Sequence, residues 1–177
     1  AGRRTSLTVW TLSTISYGYD PLGRLTLQSD SQSGWAWTLG YDPLGRRKVL
    51  SQANNFIHTT YAYDPASQLT LLRHVRPSDG SLLLEQRLFY DPAGNRTLTT
   101  EGEGDHPAAY DALSRVTHAT HPAGFPLSPT ETYQYDPVGN RLSSHLTNSY
   151  LPDAANRYTA LSGGAIQCDA AGRLTFI

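Results

Sequence analysis

Tyr19-Asp20-Pro21-Leu22-Gly23-Arg24-Leu25-Thr26 decides the fold, because copies of it recur from one end of the chain to the other. Close copies are Tyr41-Asp42-Pro43-Leu44-Gly45-Arg46, Tyr63-Asp64-Pro65-Ala66-Ser67-Gln68, Tyr90-Asp91-Pro92-Ala93-Gly94-Asn95 and Tyr135-Asp136-Pro137-Val138-Gly139-Asn140. Tyr110-Asp111-Ala112-Leu113-Ser114-Arg115, Asp153-Ala154-Ala155-Asn156-Arg157 and Cys168-Asp169-Ala170-Ala171-Gly172-Arg173 keep the outline. Asp accepts hydrogen bonds from turn amides, Pro presets φ at the second position, and Gly takes the left-handed conformation. A type I turn with Gly as bulge residue closes a three-residue hairpin loop. Asp20 then pairs with Arg24 across the hairpin. Strict alternation places Ile15, Tyr17, Tyr19, Leu25 and Leu27 on one face and Ser16, Gly18, Asp20, Arg24, Thr26 and Gln28 on the other.

The motif Asp stands at 20, 42, 64, 91, 111, 136, 153 and 169, eight occurrences. A spacing of about twenty residues suits two strands and two turns per unit. The fold class is therefore all-β, antiparallel hairpins added one to the next in a curved, twisted sheet, with residues 1–177 forming a single array cut from a longer protein. Thr5 to Leu12 is expected to be a strand continuing a preceding repeat. No dozen residues keep a helical apolar stripe free of Gly and Pro. The segments at 76–81 and 121–129 read as connecting loops, and Glu101 to Pro107 as an exposed acidic loop. Three positions before the motif Asp stand Tyr17, Leu39, Tyr61, Leu88, Ala108, Tyr133 and Ile166, a column expected to form an inner surface with the Asp and Arg columns facing away. Five positions after it, Leu25, Arg47, Leu69, Arg96, Val116, Arg141 and Leu174 mix apolar residues with Arg. A loop one residue longer at Asn95 and Asn140 would return Leu142 to the apolar face, but Arg47, followed by Lys48, fits neither pattern.

The formal net charge is −1, from 14 basic and 15 acidic residues, so nothing favours nucleic acid or an anionic membrane. No apolar run is long enough to span a membrane as a helix, and no charged-then-apolar segment reads as a signal peptide. The single Cys168 forms no internal disulfide and reads as a small buried hydrophobe. An enzyme needs one special constellation, whereas the motif Asp does the same work at every turn. His118, His121 and His106, with Asp105, read as solvated loop residues and not as a metal site. Pro after the motif Asp in five of the eight copies argues against a calcium loop. No cofactor or metal is expected.

The unit resembles the YD-repeat, or Rhs-repeat, family, whose motif is Tyr-Asp-x-x-Gly-Arg-Leu-Thr. The likeness runs from about Tyr17 to Thr175, and the first copy agrees at each defined position. The resemblance implies a segment of the β-sheet shell of bacterial Rhs polymorphic toxins, the C subunits of insecticidal Tc complexes and teneurins, secreted or displayed at the cell surface. In the toxins such shells enclose a C-terminal effector. The partners implied are the remainder of the shell and its effector, with self-association through raw edge strands. The family's core segment with its self-cleavage site does not appear here, so no catalytic residue is carried over. The other reading is an adhesion module: Trp35 and Trp37, two apart and so on one face of a strand, would stack against glycan.

Overall fold

The computed structural model describes all residues except 1, 10–12, 54–55, 125–127, 148, 162–163, 166, 169–173 and 177, and side chains up to residue 160 apart from Val9. The chain forms two compact units, Ala1–Leu88 and Phe89–Ile177. The first begins with β1 (Ser6–Val9), β2 (Ser13–Tyr19), β3 (Leu25–Asp30), β4 (Ala36–Tyr41) and β5 (Arg47–Gln52). It continues through β6 (His58–Tyr63), β7 (Leu69–Val75) and β8 (Leu82–Tyr90), within which the unit boundary falls. The second holds β9 (Arg96–Glu101), β10 (Gly104–Tyr110), β11 (Val116–Thr120), β12 (Thr130–Tyr135) and β13 (Arg141–Ser144). Short strands follow: β14 (Tyr150–Pro152), β15 (Tyr158–Leu161), β16 (Gly164–Ala165), β17 (Gln167–Cys168) and β18 (Leu174–Phe176). The first thirteen belong to one antiparallel sheet in chain order, not closed into a barrel. The all-β hairpin expectation is met, and no helix occurs among the described residues.

The motif hairpins β2–β3, β4–β5, β6–β7, β10–β11, β12–β13 and β14–β15 carry a bulge that strict alternation misses. Tyr19 lies opposite Leu25, but Gly18 lies opposite Leu27 and Tyr17 opposite Gln28, leaving Thr26 as an extra residue. Leu27 therefore joins the face of Gly18, and Gln28 that of Tyr17, the reverse of the expected assignment. The same shift makes extra residues of Lys48, Thr70, Thr117, Leu142 and Thr159. This gives the motif's last position a task. The hydroxyls of Thr117 and Thr159 donate back across the hairpin to the carbonyls of Ala109 and Leu151 at 3.2 and 2.9 Å.

The acidic stretch is a hairpin, not a loop. Glu101 closes β9, Gly102 and Glu103 form the turn, and β10 runs on through His106 and Pro107, paired with Thr99 and Leu98. Burial is thin. Leu88 is the one apolar side chain counted as buried among the described residues, beside the polar Thr59 and Ser144. Stability in such strands rests on ladder hydrogen bonds and cross-strand pairs more than on a deep core.

Gly23, Gly45, Gly94 and Gly139 occupy the left-handed region at φ 75°, 81°, 88° and 100°. Ser67, Ser114 and Asn156 take the same turn position at φ 65°, 60° and 60°. A serine pays for that conformation where glycine does not. Ser114→Gly is expected to raise stability by about 0.5–1 kcal/mol, measured by denaturant unfolding; a loss would contradict it.

Candidate functional site: the turn ladder and a histidine–carboxylate cluster

The turn is built identically wherever it is described. The motif Asp amide donates to the carbonyl of the residue four on, from Asp20–Arg24 to Asp153–Arg157, at 2.8–3.0 Å. The Asp side chain does the converse. Oδ1 accepts the amides of Arg24, Arg46, Gln68, Asn95, Arg115, Asn140 and Arg157. Oδ2 accepts Nε of Arg24, Arg46 and Arg115 at 2.6 Å, or Nδ2 of Asn95 and Asn140 at 2.9 and 2.7 Å. Arg and Asn alternate in the sequence because each brings an N–H to the same oxygen. The Asn copies keep the same backbone closure, Asp91–Asn95 and Asp136–Asn140, so the longer loop expected there does not exist.

These bonds hold the carboxyls of Asp20, Asp42, Asp91, Asp111, Asp136 and Asp153 below their ordinary value. The backbone amide of the partner Arg is the leading cause at Asp20, Asp111 and Asp153, and the Asn side chain at Asp91 and Asp136. At Asp42 burial opposes the shift, and the bonds from Arg46 outweigh it. A depressed carboxyl contributes stability that is present above the unfolded value, about 3.9, and lost as pH falls through the folded one. The turns are therefore expected to hold down to about pH 4 and fail cooperatively below it, as an acid titration followed by circular dichroism would show.

Tyr and Arg tie each hairpin to its neighbour. The hydroxyls of Tyr41, Tyr63 and Tyr110 donate to the carbonyls of Leu25, Arg47 and Arg96 at 2.8–2.9 Å. The hydroxyl of Tyr158 instead accepts from the Arg141 amide. Leu and Arg interchange at the fifth position because the structure uses that residue's backbone, which explains Arg47. The guanidinium groups of Arg24, Arg46 and Arg115 lie over the rings of Tyr41, Tyr63 and Tyr135, the next motif's tyrosines, each at 4.7 Å. Arg46 and Arg115 also donate to the carbonyls of Asp64 and Asp136 in the following turn. Far from facing away from the tyrosines, the Arg column packs onto them.

Pro21 is exposed at its turn, and Tyr19, Tyr90 and Tyr135 end their strands just before the motif Asp. Asp169, Gly172 and Arg173, with Ile166 and the side chain of Cys168, lie outside the described residues. Trp37 sits in β4 opposite Gln28 and Gln52, and Trp35 precedes that strand; both are half-buried.

A second group departs from the expectation of solvated histidines. His106 and His121 are mostly buried, their Nδ1 atoms 3.0 Å apart and their rings edge-on at 5.3 Å. Nε2 of His106 lies 3.0 Å from Glu101, and Nε2 of His121 lies 3.2 Å from Glu131. Tyr133 donates to the other Glu131 oxygen at 2.6 Å. That bond holds the Glu131 carboxyl below its ordinary value, while burial first, then Glu131, pushes the Tyr133 phenol up to about 12. The group borders a cavity of about 390 Å³ that Arg96 and Arg141 also line. His118 remains exposed. Counting back in twos from Tyr110 and Tyr135 would have placed His106 and Glu131 on the tyrosine face. No set of three or more His, Cys, Asp or Glu suited to a metal occurs among the described residues.

Residues 19–56 match the RHS Repeat family model. No curated protein matches the chain. Among solved structures, TcdB2-TccC3-Cdc42 and TcdB2-TccC3-TEV each share 20% identity over 92% of this chain, with TM-scores of 0.57 and 0.58. The Photorhabdus luminescens Tc holotoxin pore shares 22% identity over 91% of the chain, with a TM-score of 0.48. The chain spans 12% of the length of each of these structures, and at such identity the likeness is one of fold.

Proposed function

We propose, from the RHS repeat matched at residues 19–56 and the same turn construction continuing to Asp153, that this chain is a non-catalytic wall segment of a longer RHS-repeat protein. The whole chain is one array in that parent, and the parent is a bacterial toxin, secreted or displayed at the cell surface, whose wall encloses a C-terminal effector. The supporting observation is the ladder: seven described turns spend their Asp carboxylates on the same closing bonds. Such groups are committed to holding backbone and are not poised to move protons. A strand edge such as β1, paired on one side with β2, takes another hairpin of the parent by the same ladder bonds.

The test is limited proteolysis of the full-length parent, following its C-terminal segment by mass spectrometry. Protection of that segment until the repeats unfold supports enclosure; cleavage at the rate of the isolated segment contradicts it. Glycan stacking on Trp35 and Trp37 has less support, because both indoles are half-buried.

A further inference from the structure

We propose that the cavity on the tyrosine face of the second unit binds a small aromatic monocarboxylate, Arg96 and Arg141 supplying the positive charge and the Tyr110 ring the surface for the aromatic body. Its volume of about 390 Å³ falls within the range of small-molecule sites, about 300–1,000 Å³. Its walls come from β9 to β13, all within that unit. The inference concerns this chain by itself and does not require that the parent's wall enclose anything.

A change of turn residue leaves the ring bare. Where the residue four past the motif Asp is arginine, its guanidinium covers the next motif's tyrosine, as Arg24, Arg46 and Arg115 do. Asn95 is too short for that reach, and its Nδ2 is bonded to Asp91 at 2.9 Å. No guanidinium lies over Tyr110 among the described residues, and this tyrosine borders the cavity. Its hydroxyl donates to the Arg96 carbonyl at 2.8 Å, which holds the ring in place before any ligand arrives. Ala108, Val116 and Ala119 add apolar wall. Such a surface suits another ring, since aromatic pairs pack at centroid distances of about 4.5–7 Å.

The same two Asn copies carry arginine one residue later, Arg96 and Arg141, and both border the cavity. Arg24, Arg46, Arg115 and Arg157 each neutralise the Asp of their own turn. Neither Arg96 nor Arg141 meets a carboxylate among the described residues. Arg141 is stacked at 4.7 Å over Tyr133 and hydrogen-bonded to Tyr150, which fixes its position without cancelling its charge. Arg96 is exposed, and its side chain makes no hydrogen bond among the described residues. Glu131 is the one acidic residue on the wall, and its oxygens already meet Tyr133 at 2.6 Å and His121 at 3.2 Å. Two guanidinium groups against one carboxylate leave one positive charge in excess, which calls for an anion. A monocarboxylate matches that excess. A doubly charged phosphate overshoots it and is repelled by Glu131.

The experiment is an amide NMR titration of the whole chain at pH 7.5 with 3-phenylpropionate, its neutral amide 3-phenylpropionamide, and inorganic phosphate. The two-carbon link of the probe lets its ring lie on Tyr110 while the carboxylate reaches the guanidinium groups. Saturable shifts over residues 108–120 are expected for the acid, with a Kd of about 1 mM or tighter, and binding about tenfold weaker for the amide. No saturation by the acid, equal binding of acid and amide, or equally strong competition by phosphate overturns the site. Arg96→Gln leaves the carbonyl that Tyr110 uses and is expected to weaken the acid about tenfold while sparing the amide; unaltered affinity for the acid overturns it. Arg47→Gln, the same motif position in the first unit, is expected to change nothing, and an equal loss there would mean a general charge effect and overturns the site. Should Arg96→Gln fail to fold, the comparison of acid with amide on the unaltered chain decides.

Discussion

Gly45→Val is expected to destabilise the chain by about 2 kcal/mol, the cost of holding a β-branched residue in the left-handed region. Gly45 sits at φ 81°, and a Cβ built there meets only the Arg24 guanidinium at 3.6 Å. Space is therefore not the obstacle, and the loss reports backbone strain alone. Gly45→Asn is expected to cost much less, because Asn156 fills the equivalent place in its own turn. Urea unfolding of the three proteins measures this. A valine variant as stable as the parent would mean that the turn does not need its left-handed residue.

Thr59→Val carries the other large effect. Thr59 is completely buried, and its hydroxyl shares a 2.7 Å hydrogen bond with Nδ1 of His74 on the paired strand β7. Valine keeps the volume and removes the partner, leaving Nδ1 of the half-buried His74 without its hydrogen bond at a cost of about 1–3 kcal/mol. Thr59→Ser keeps the hydroxyl and gives up a methyl group, and should fall less. A valine variant equal to the parent, or less damaging than serine, would assign Thr59 to packing instead of hydrogen bonding.

What was legible in the sequence was chemistry contained within one turn. Asp20, Pro21 and Gly23 reveal the hairpin because each residue's preference is local. The bulge at Thr26 was not, since an extra residue appears only once two strands are paired, and it reverses the faces of Leu27 and Gln28. Arg47 resisted interpretation for a related reason. Its contribution is a carbonyl offered to Tyr63, and a carbonyl leaves no mark on residue type. His106 was misjudged because Gly104 and Pro107 suggested a loop, although Gly104 begins β10 and Pro107 lies within it. The cluster around it joins residues of β9, β10 and β12 with His121 just beyond the end of β11, and no spacing rule brings those together.

The link from Arg of one motif to Tyr of the next ties neighbouring hairpins together within the sheet. A double-mutant cycle on Arg46→Met and Tyr63→Leu measures it most directly, because the ring–guanidinium contact at 4.7 Å joins two turns and each substitution removes it. The expected coupling is about 0.5–1 kcal/mol, the worth of a partly exposed cation–π contact. Additive losses, with coupling indistinguishable from zero, would contradict the ladder.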